Sequence, residues 1–283
     1  MIYYKGDQVG GKMLIVVCVK QVPDTTQVKI DPDTGNLVRE GVPFIMNPFD
    51  SHALEESLRL KDNYGLRVAV ISMGPPNAEV TLRKTLAVGV DEAVLLSDRA
   101  FGGADTLATS MVLAEAIKRL GQQDEIAMVL CGRQTIDGDT AQVSPGIATR
   151  LRYSQLTLVD CIDNVDLQNK KVRVRRKLEG RHEVVEAPLP AVISVVREIN
   201  HPRYPTVPTR LIAEDAAVTL WDNNEMKVDP ETIGMKGSAT QVRKIFSPER
   251  AKGEILGDGD KNPEEAANLL INRLIEKDII SLS

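Results

Sequence analysis

Ile126 to Pro145 reads IAMVLCGRQTIDGDTAQVSP, and the order of residue types in this stretch decides the fold. Ile126-Ala127-Met128-Val129-Leu130 is a continuous apolar run of strand length, as expected for a strand covered on both faces. The segment from Cys131 that follows is rich in small and turn-forming residues. Ser144-Pro145 reads as a helix start, with Ser at the N-cap and Pro at the first helical position. A loop that hands a buried strand to a helix N-terminus aims free backbone N–H groups at one spot, which suits a phosphate or pyrophosphate. The expectation is a nucleotide-binding domain.

The same alternation runs upstream. Leu14 to Val19 (LIVVCV) is a buried strand, and the turn-rich passage from Pro23 through Asp31-Pro32-Asp33-Thr34-Gly35 reads as a short hairpin or loop. Asn47-Pro48-Phe49-Asp50-Ser51 precedes a helix carrying Ala53, Leu54, Leu58 and Leu60. Arg67 to Met73 is a second buried strand running into Gly74-Pro75-Pro76. Helix 78–87, strand 93–96 and helix 105–120 lead to the opening stretch. Strands alternating with helices imply an α/β fold with an open, mostly parallel sheet covered on both faces. Ligands bind such sheets beyond the carboxyl ends of the strands. Three loops are expected to converge there: Cys18-Val19-Lys20-Gln21, Ser72-Met73-Gly74-Pro75 and Cys131 to Pro145.

After about Thr157 the pattern changes. Lys171 to Leu178, a turn at Glu179-Gly180-Arg181, Glu183 to Glu186 and Ala191 to Val196 read as an antiparallel extension. Beyond Glu198 the chain is irregular, with Pro202, Pro205 and Pro208 close together and five glycines between 234 and 259. A final amphipathic helix, Pro263 to Lys277, carries Ala266, Leu269, Leu270, Leu274 and Ile275 on one face. An arm of this length with little core of its own packs on something else, and a partner subunit is the natural candidate. The expected organisation is a disordered leader over 1–12, a nucleotide-binding domain over 13–210, and an extended arm with its helix over 211–283.

Composition narrows the function. The chain has 283 residues, 42% of them hydrophobic, and a formal charge of −5. That charge argues against general nucleic-acid binding, which needs a basic face. No apolar run approaches the roughly 20 residues that span a bilayer, so no membrane insertion is expected. Cys18, Cys131 and Cys161 form no CxxC pair, and a reducing cytoplasm fits best. His52, His182 and His201 lie in different segments without metal-site spacing. There is no nucleophile elbow, triad or paired acid and base, so any chemistry must come from a bound cofactor. In the loop, the amides of Thr140, Ala141, Gln142 and Val143 are the phosphate donors. Asp137 and Asp139, flanking Gly138, either bond ribose hydroxyls, cap, or brace the loop. Gln134 and Gln142 are neutral and can bond a base or a flavin edge. Arg173, Arg175, Arg176 and Lys177 either meet an acidic partner or sit on an exposed strand, and Trp221 is expected to cover an apolar patch.

Taken together, VCVKQVPDTTQVKIDPDTG, MNPFDSHALEESLRLK, SMGPP, DRAFGGADTLATS and GRQTIDGDTAQVSP resemble the β subunit of electron transfer flavoprotein, in order from about Met13 to the C-terminus. Val174, Arg176, Glu179, Gly180, Glu183, Val185, Pro190, Val192, Ile193 and Ser194 stand in the spacing of that family's second hallmark. Arg181 departs from it, since a small or acidic residue is usual there.

The resemblance implies a Rossmann-like sheet of the adenine-nucleotide hydrolase type, with a C-terminal arm that wraps an α subunit carrying FAD. It places the nucleotide site on Cys18, Asn47, Pro48, Phe49, Asp50, Met73 and the run from Asp137 through Val143, Ser144 and Pro145, to which the converging loops add Val19, Lys20, Ser72, Gly74, Cys131, Gly132 and Gln134. It also places a dehydrogenase-recognition loop on Tyr204, Pro205, Thr206, Val207 and Pro208, with Val207 as the apolar plug. Ordinary members hold AMP, and the electron-bifurcating branch holds a second FAD. DGDTAQV, SMGPP and DRAFGGADT look like that branch, although Ser144 stands where glycine is common. The implied function is to accept hydride from NADH on FAD. One electron would go to ferredoxin, and the other through the α-subunit FAD to an acyl-CoA dehydrogenase-type flavoenzyme. Activity is then expected only in the α–β complex. The alternatives are a non-bifurcating carrier with structural AMP and a stand-alone nucleotide-binding regulator of the universal-stress type. An adenylating synthetase is disfavoured, because no Ser-Gly-Gly pyrophosphate loop follows the first strand.

Overall fold

Leu14–Cys18 (β1) is buried at every residue, and so are five of the seven residues of Arg67–Met73 (β6) and six of the seven of Ile126–Gly132 (β8). Continuous burial of this kind needs cover on both faces, which only a parallel sheet between helical layers supplies. The computed structural model describes residues 13–24, 29–30, 37–38, 43–241 and 253–281; the leader expected over 1–12 lies outside them. Between β1 and β6 run Gln21–Pro23 (β2), Lys29–Ile30 (β3), Leu37–Val38 (β4), Phe44–Met46 (β5) and helix Pro48–Tyr64 (α1). β2 pairs antiparallel with β5, and β3 with β4, around the turn-rich passage. Glu79–Ala87 (α2), Glu92–Leu96 (β7) and Thr106–Leu120 (α3) lead into β8, and Val143–Leu151 (α4) leaves it.

The chain then adds Ser154–Asp166 (β9), Lys171–Leu178 (β10), Arg181–Pro188 (β11) and Ala191–Val195 (β12). Val207–Glu214 (α5), Thr219–Trp221 (β13) and Asn223–Met226 (α6) follow. Among the described residues the main sheet has nine strands in the order β11-β10-β9-β12-β8-β1-β6-β7-β13. From β9 to β13 every pairing is parallel, while β10 and β11 form the antiparallel extension.

One strand differs from its expected role. Ala191 to Val195 is not part of the antiparallel set: β12 pairs parallel with both β8 and β9. All five of its residues are buried, the pattern of a central parallel strand. The chain passes over this slot, builds the β9–β11 meander outside it and returns to fill it. β9 itself has no clean alternation to read, because its backbone turns left-handed at Leu158 (φ 60°).

Alternate residues of the central strands face opposite layers, as period-2 geometry requires. Ile15, Val17, Val70 and Leu130 pack with Leu54, Leu58 and Leu82 of α1 and α2. Val16, Ile71 and Val129 pack with Val112, Ile117 and Ile147 of α3 and α4. Trp221 of β13 joins the second cluster at the sheet edge, with the Arg119 guanidinium 4.5 Å from its ring centre.

The chain divides into two compact units, 1–242 and 243–283. In the second, Pro263–Glu276 (α7) is capped by Asn262, whose side chain accepts the Glu265 N–H at 3.4 Å. Arg273 pairs with Glu254 at 2.7 Å, and Leu269, Leu270 and Ile271 are exposed.

Candidate functional site

Sheet register brings the three loops together. Cys18 lies beside Ile71 on one neighbouring strand and Cys131 on the other, so the chain ends of β1, β6 and β8 meet at one edge. The N-terminus of α1 then ties two of these loops to each other. Asp50 Oδ2 accepts the Lys20 N–H at 2.8 Å, and its Oδ1 accepts the Gly132 N–H at 3.2 Å. Asn47 donates its N–H to the Lys20 carbonyl at 2.9 Å and its Nδ2 to the Gln134 carbonyl at 2.9 Å, while its Oδ1 accepts the Ile136 N–H at 3.2 Å. Asn47 therefore leaves its own helix without a side-chain cap, and Pro48 starts the helix with its φ already fixed. Phe49, between them, lies against the Arg197 guanidinium at 4.5 Å.

Both clamp residues are buried, and Asp50 titrates accordingly. Burial pushes its carboxyl up to about 7 despite bonds from Asn47, Lys20 and Gly132 that favour the charged form. The Cys131 thiol is pushed up by its bond with Cys18 and by burial.

The loop after β8 answers its own acids. Lys20 Nζ pairs with Asp137 at 2.7 Å across the gap between the two loops. Burial pushes the Asp137 carboxyl up, but the Lys20 and Thr135 hydrogen bonds outweigh it and hold the group below the usual range. Asp139 takes a hydrogen bond from the Gln134 side chain and donates its N–H to the Thr135 carbonyl at 2.9 Å. Both acids thus brace the loop. Asp139 and Ala141 are left-handed, each with φ 56°. For alanine that conformation costs about 1–2 kcal/mol, the kind of strain found where backbone is shaped to a ligand. Among the described residues, the N–H groups of Thr140, Ala141, Val143 and Ser144 have no acceptor. They form a row of free donors where α4 begins, the arrangement that binds phosphate.

Ser144 is not the N-cap. The helix starts at Val143 with Gln142 at the cap position and no side-chain capping bond, which puts Pro145 third in the helix. The Thr140 hydroxyl accepts the Gln142 N–H at 3.4 Å, and that turn starts the helix before Ser144 is reached. Ser144 instead turns inward. Its hydroxyl and that of Ser72, near the end of β6, are both buried without a hydrogen-bond partner. Unsatisfied buried hydroxyls are rare, and here they lie on two of the converging segments. Free amides, unanswered hydroxyls and Lys20 fit a phosphorylated nucleotide.

Cys18 and Val19 are buried under the site, and Met73 ends β6 with Gly74 directly after it. Tyr204 and Val207 are 92% and 74% exposed, Thr206 caps α5, and Pro208 stands in its first turn with Pro205 just ahead. Sequence reasoning gave no role to Arg197, which follows β12. With that strand expected in an antiparallel set, nothing placed Arg197 near Phe49. Among the described residues no group of acidic, histidine or cysteine side chains could hold a metal, and no helix is long and apolar enough to cross a membrane.

The family model described as electron transfer flavoprotein domain matches residues 34–226. Electron transfer flavoprotein subunit beta of Clostridium acetobutylicum is 48% identical over 269 residues, covering 95% of this chain and all of that protein. Caffeyl-CoA reductase-Etf complex subunit CarD of Acetobacterium woodii is 48% identical over 270 residues, covering 95% of this chain and 100% of its own length. Protein FixA of Azotobacter vinelandii is 44% identical over 262 residues, covering 92% and 93% of the two chains.

Proposed function

The chain belongs to the electron transfer flavoprotein β-subunit family, and on that premise we propose that it binds FAD at the carboxyl edge of its sheet and serves electron bifurcation with an α subunit. The observation that carries this reading is the set of acceptor-free amides of Thr140, Ala141, Val143 and Ser144, reached past Gly138, which adds no charge beside Asp137 and Asp139. FAD bound there supplies the chemistry of taking a hydride from NADH and releasing electrons singly, one to ferredoxin and one through the α-subunit FAD to an acyl-CoA dehydrogenase-type flavoenzyme.

This chain's own residues bind and orient. The free amides hold the pyrophosphate, and Lys20 opposes its charge from the facing loop. Asn47 and Asp50 fix the distance between the two loops. Gln134 and Gln142 offer neutral partners to a base or flavin edge. Tyr204 to Pro208 meet the flavoenzyme through Val207, and the arm over 211–283 packs on the α subunit through its part beyond the sheet, where Leu269, Leu270 and Ile271 of α7 are exposed. A cytoplasmic setting suits all of these partners. The name CarD carries, for the Acetobacterium relative, a complex of an Etf with an acyl-CoA reductase, which supports an acceptor of this class.

Counting cofactors tests the proposal. The chain copurified with its α subunit should carry two FAD per heterodimer and be reduced by NADH. One FAD with one AMP would mean an ordinary carrier and end the bifurcation reading.

A further inference from the structure

Between α1, α2 and α5 lies a cavity of about 800 Å³, within the size range of small-molecule pockets and larger than one protein side chain fills. None of the residues proposed for the nucleotide site lines it. Met46, Leu54, Leu58, Ala87, Val88 and Ala213 give it apolar walls. Its charged groups divide into two kinds. Arg83 is spent on Glu79 and on the carbonyls of Glu214 (2.6 Å) and Ala216 (2.7 Å). Arg203 is spent on Glu55 and Asp62, each at 2.9 Å. Lys84 and Arg210 also line the cavity, and among the described residues neither side chain has a partner. Among the described residues Glu214 is the one lining carboxylate outside an ion pair, so the unpaired groups leave a surplus of positive charge.

We propose that this cavity binds an amphipathic monocarboxylate. Its alkyl chain lies against the apolar walls, and its carboxylate is held by Lys84 and Arg210. Burial of the chain supplies the non-directional part of the affinity, and the two free cations select for an anionic head. A neutral alkane forgoes the second contribution, and an alkylammonium meets like charge. The occupant also touches Tyr204 and Pro205, which line the cavity and lead into α5. This inference does not depend on which nucleotide the sheet edge holds.

The test titrates decanoate, and decylammonium as the charge control, into the chain copurified with its α subunit, read by calorimetry. Decanoate should saturate one site per heterodimer and bind more tightly than decylammonium. The double variant Lys84→Glu/Arg210→Glu, with unchanged flavin and nucleotide content, should bind decanoate roughly tenfold or more weakly. Val88→Trp, which adds bulk at one apolar wall where the alkyl chain lies, should weaken decanoate binding. Unsaturable uptake, equal affinity for the two amphiphiles, or wild-type decanoate binding by the double variant overturns the proposal. It is also overturned if charge reversal spares decanoate and weakens only docking of a partner protein, because the occupant is then a protein segment.

Discussion

Gly132 and Asp50 stand so close that no side chain fits between them: the Gly132 N–H donates to Asp50 Oδ1 at 3.2 Å, and a β-carbon on Gly132 would overlap that oxygen and sit 2.7 Å from the Phe49 backbone. The end of β8 is thereby pressed onto the first turn of α1. Gly132→Ala must push the two apart, at a cost of about 1–3 kcal/mol by analogy with overpacked cores. Denaturant unfolding should show that loss, and nucleotide affinity should fall with it. A variant as stable and as tightly binding as the parent would show that this contact sets nothing.

Asp50 makes stability depend on pH in a defined window. Burial holds its carboxyl at about 7 in the folded chain against the ordinary 3.8 of a free aspartate, so folding favours the protonated form. The contribution is fully present below about 4, is lost as pH rises toward 7, and is flat above, with a span on the order of 4 kcal/mol. Asp50→Asn cannot ionise. The stability difference between parent and variant should therefore drift in the variant's favour from pH 4 to 7. Parallel curves across that range would place the titration elsewhere.

Gly138 has room for a side chain, since a β-carbon there meets only the Thr135 hydroxyl at 3.3 Å. Gly138→Asp should therefore fold normally and act through charge. A third carboxylate beside Asp137 and Asp139 faces two phosphates in FAD and one in AMP. FAD affinity should drop about tenfold more than AMP affinity, roughly 1.4 kcal/mol of extra repulsion. Equal losses for both ligands would refute the charge argument.

Val207 is 74% exposed in the first turn of α5, so its removal leaves no cavity. Val207→Asp should shift the unfolding midpoint little, within about 0.5 kcal/mol as for ordinary surface changes. Electron transfer to the flavoenzyme should nonetheless slow severalfold in a stopped-flow assay, with NADH reduction unaffected. A normal transfer rate would remove Val207 from the docking surface.

Much of the fold was legible because burial on both faces leaves a local mark. LIVVC, RVAVISM and IAMVLCG need no partner to be read as central strands, and Asp105, an expected helix start, is the N-cap of α3. The site was legible as a set of segments for the same reason, since strand ends in such a sheet share an edge. Legibility failed where pairing partners lie far along the chain. Ala191–Val195 carries the composition of a buried strand but no sign of which gap it fills, and Arg197 went unplaced with it.

The sequence by itself determined that the strands are buried and parallel, that a loop before a helix offers backbone donors, and that the motifs belong to the electron transfer flavoprotein β family. Those features rest on residue type and short-range spacing. Only the tertiary structure decided that Asn47 and Asp50 clamp two loops about 110 residues apart, at Lys20 and from Gly132, that Ser144 turns its hydroxyl inward instead of capping, and that Lys84 and Arg210 stand unpaired at an apolar cavity. The physical reason is the same in each case. Hydrogen bonds, buried polar groups and free charges are relations between distant residues, and folding alone brings their members within reach.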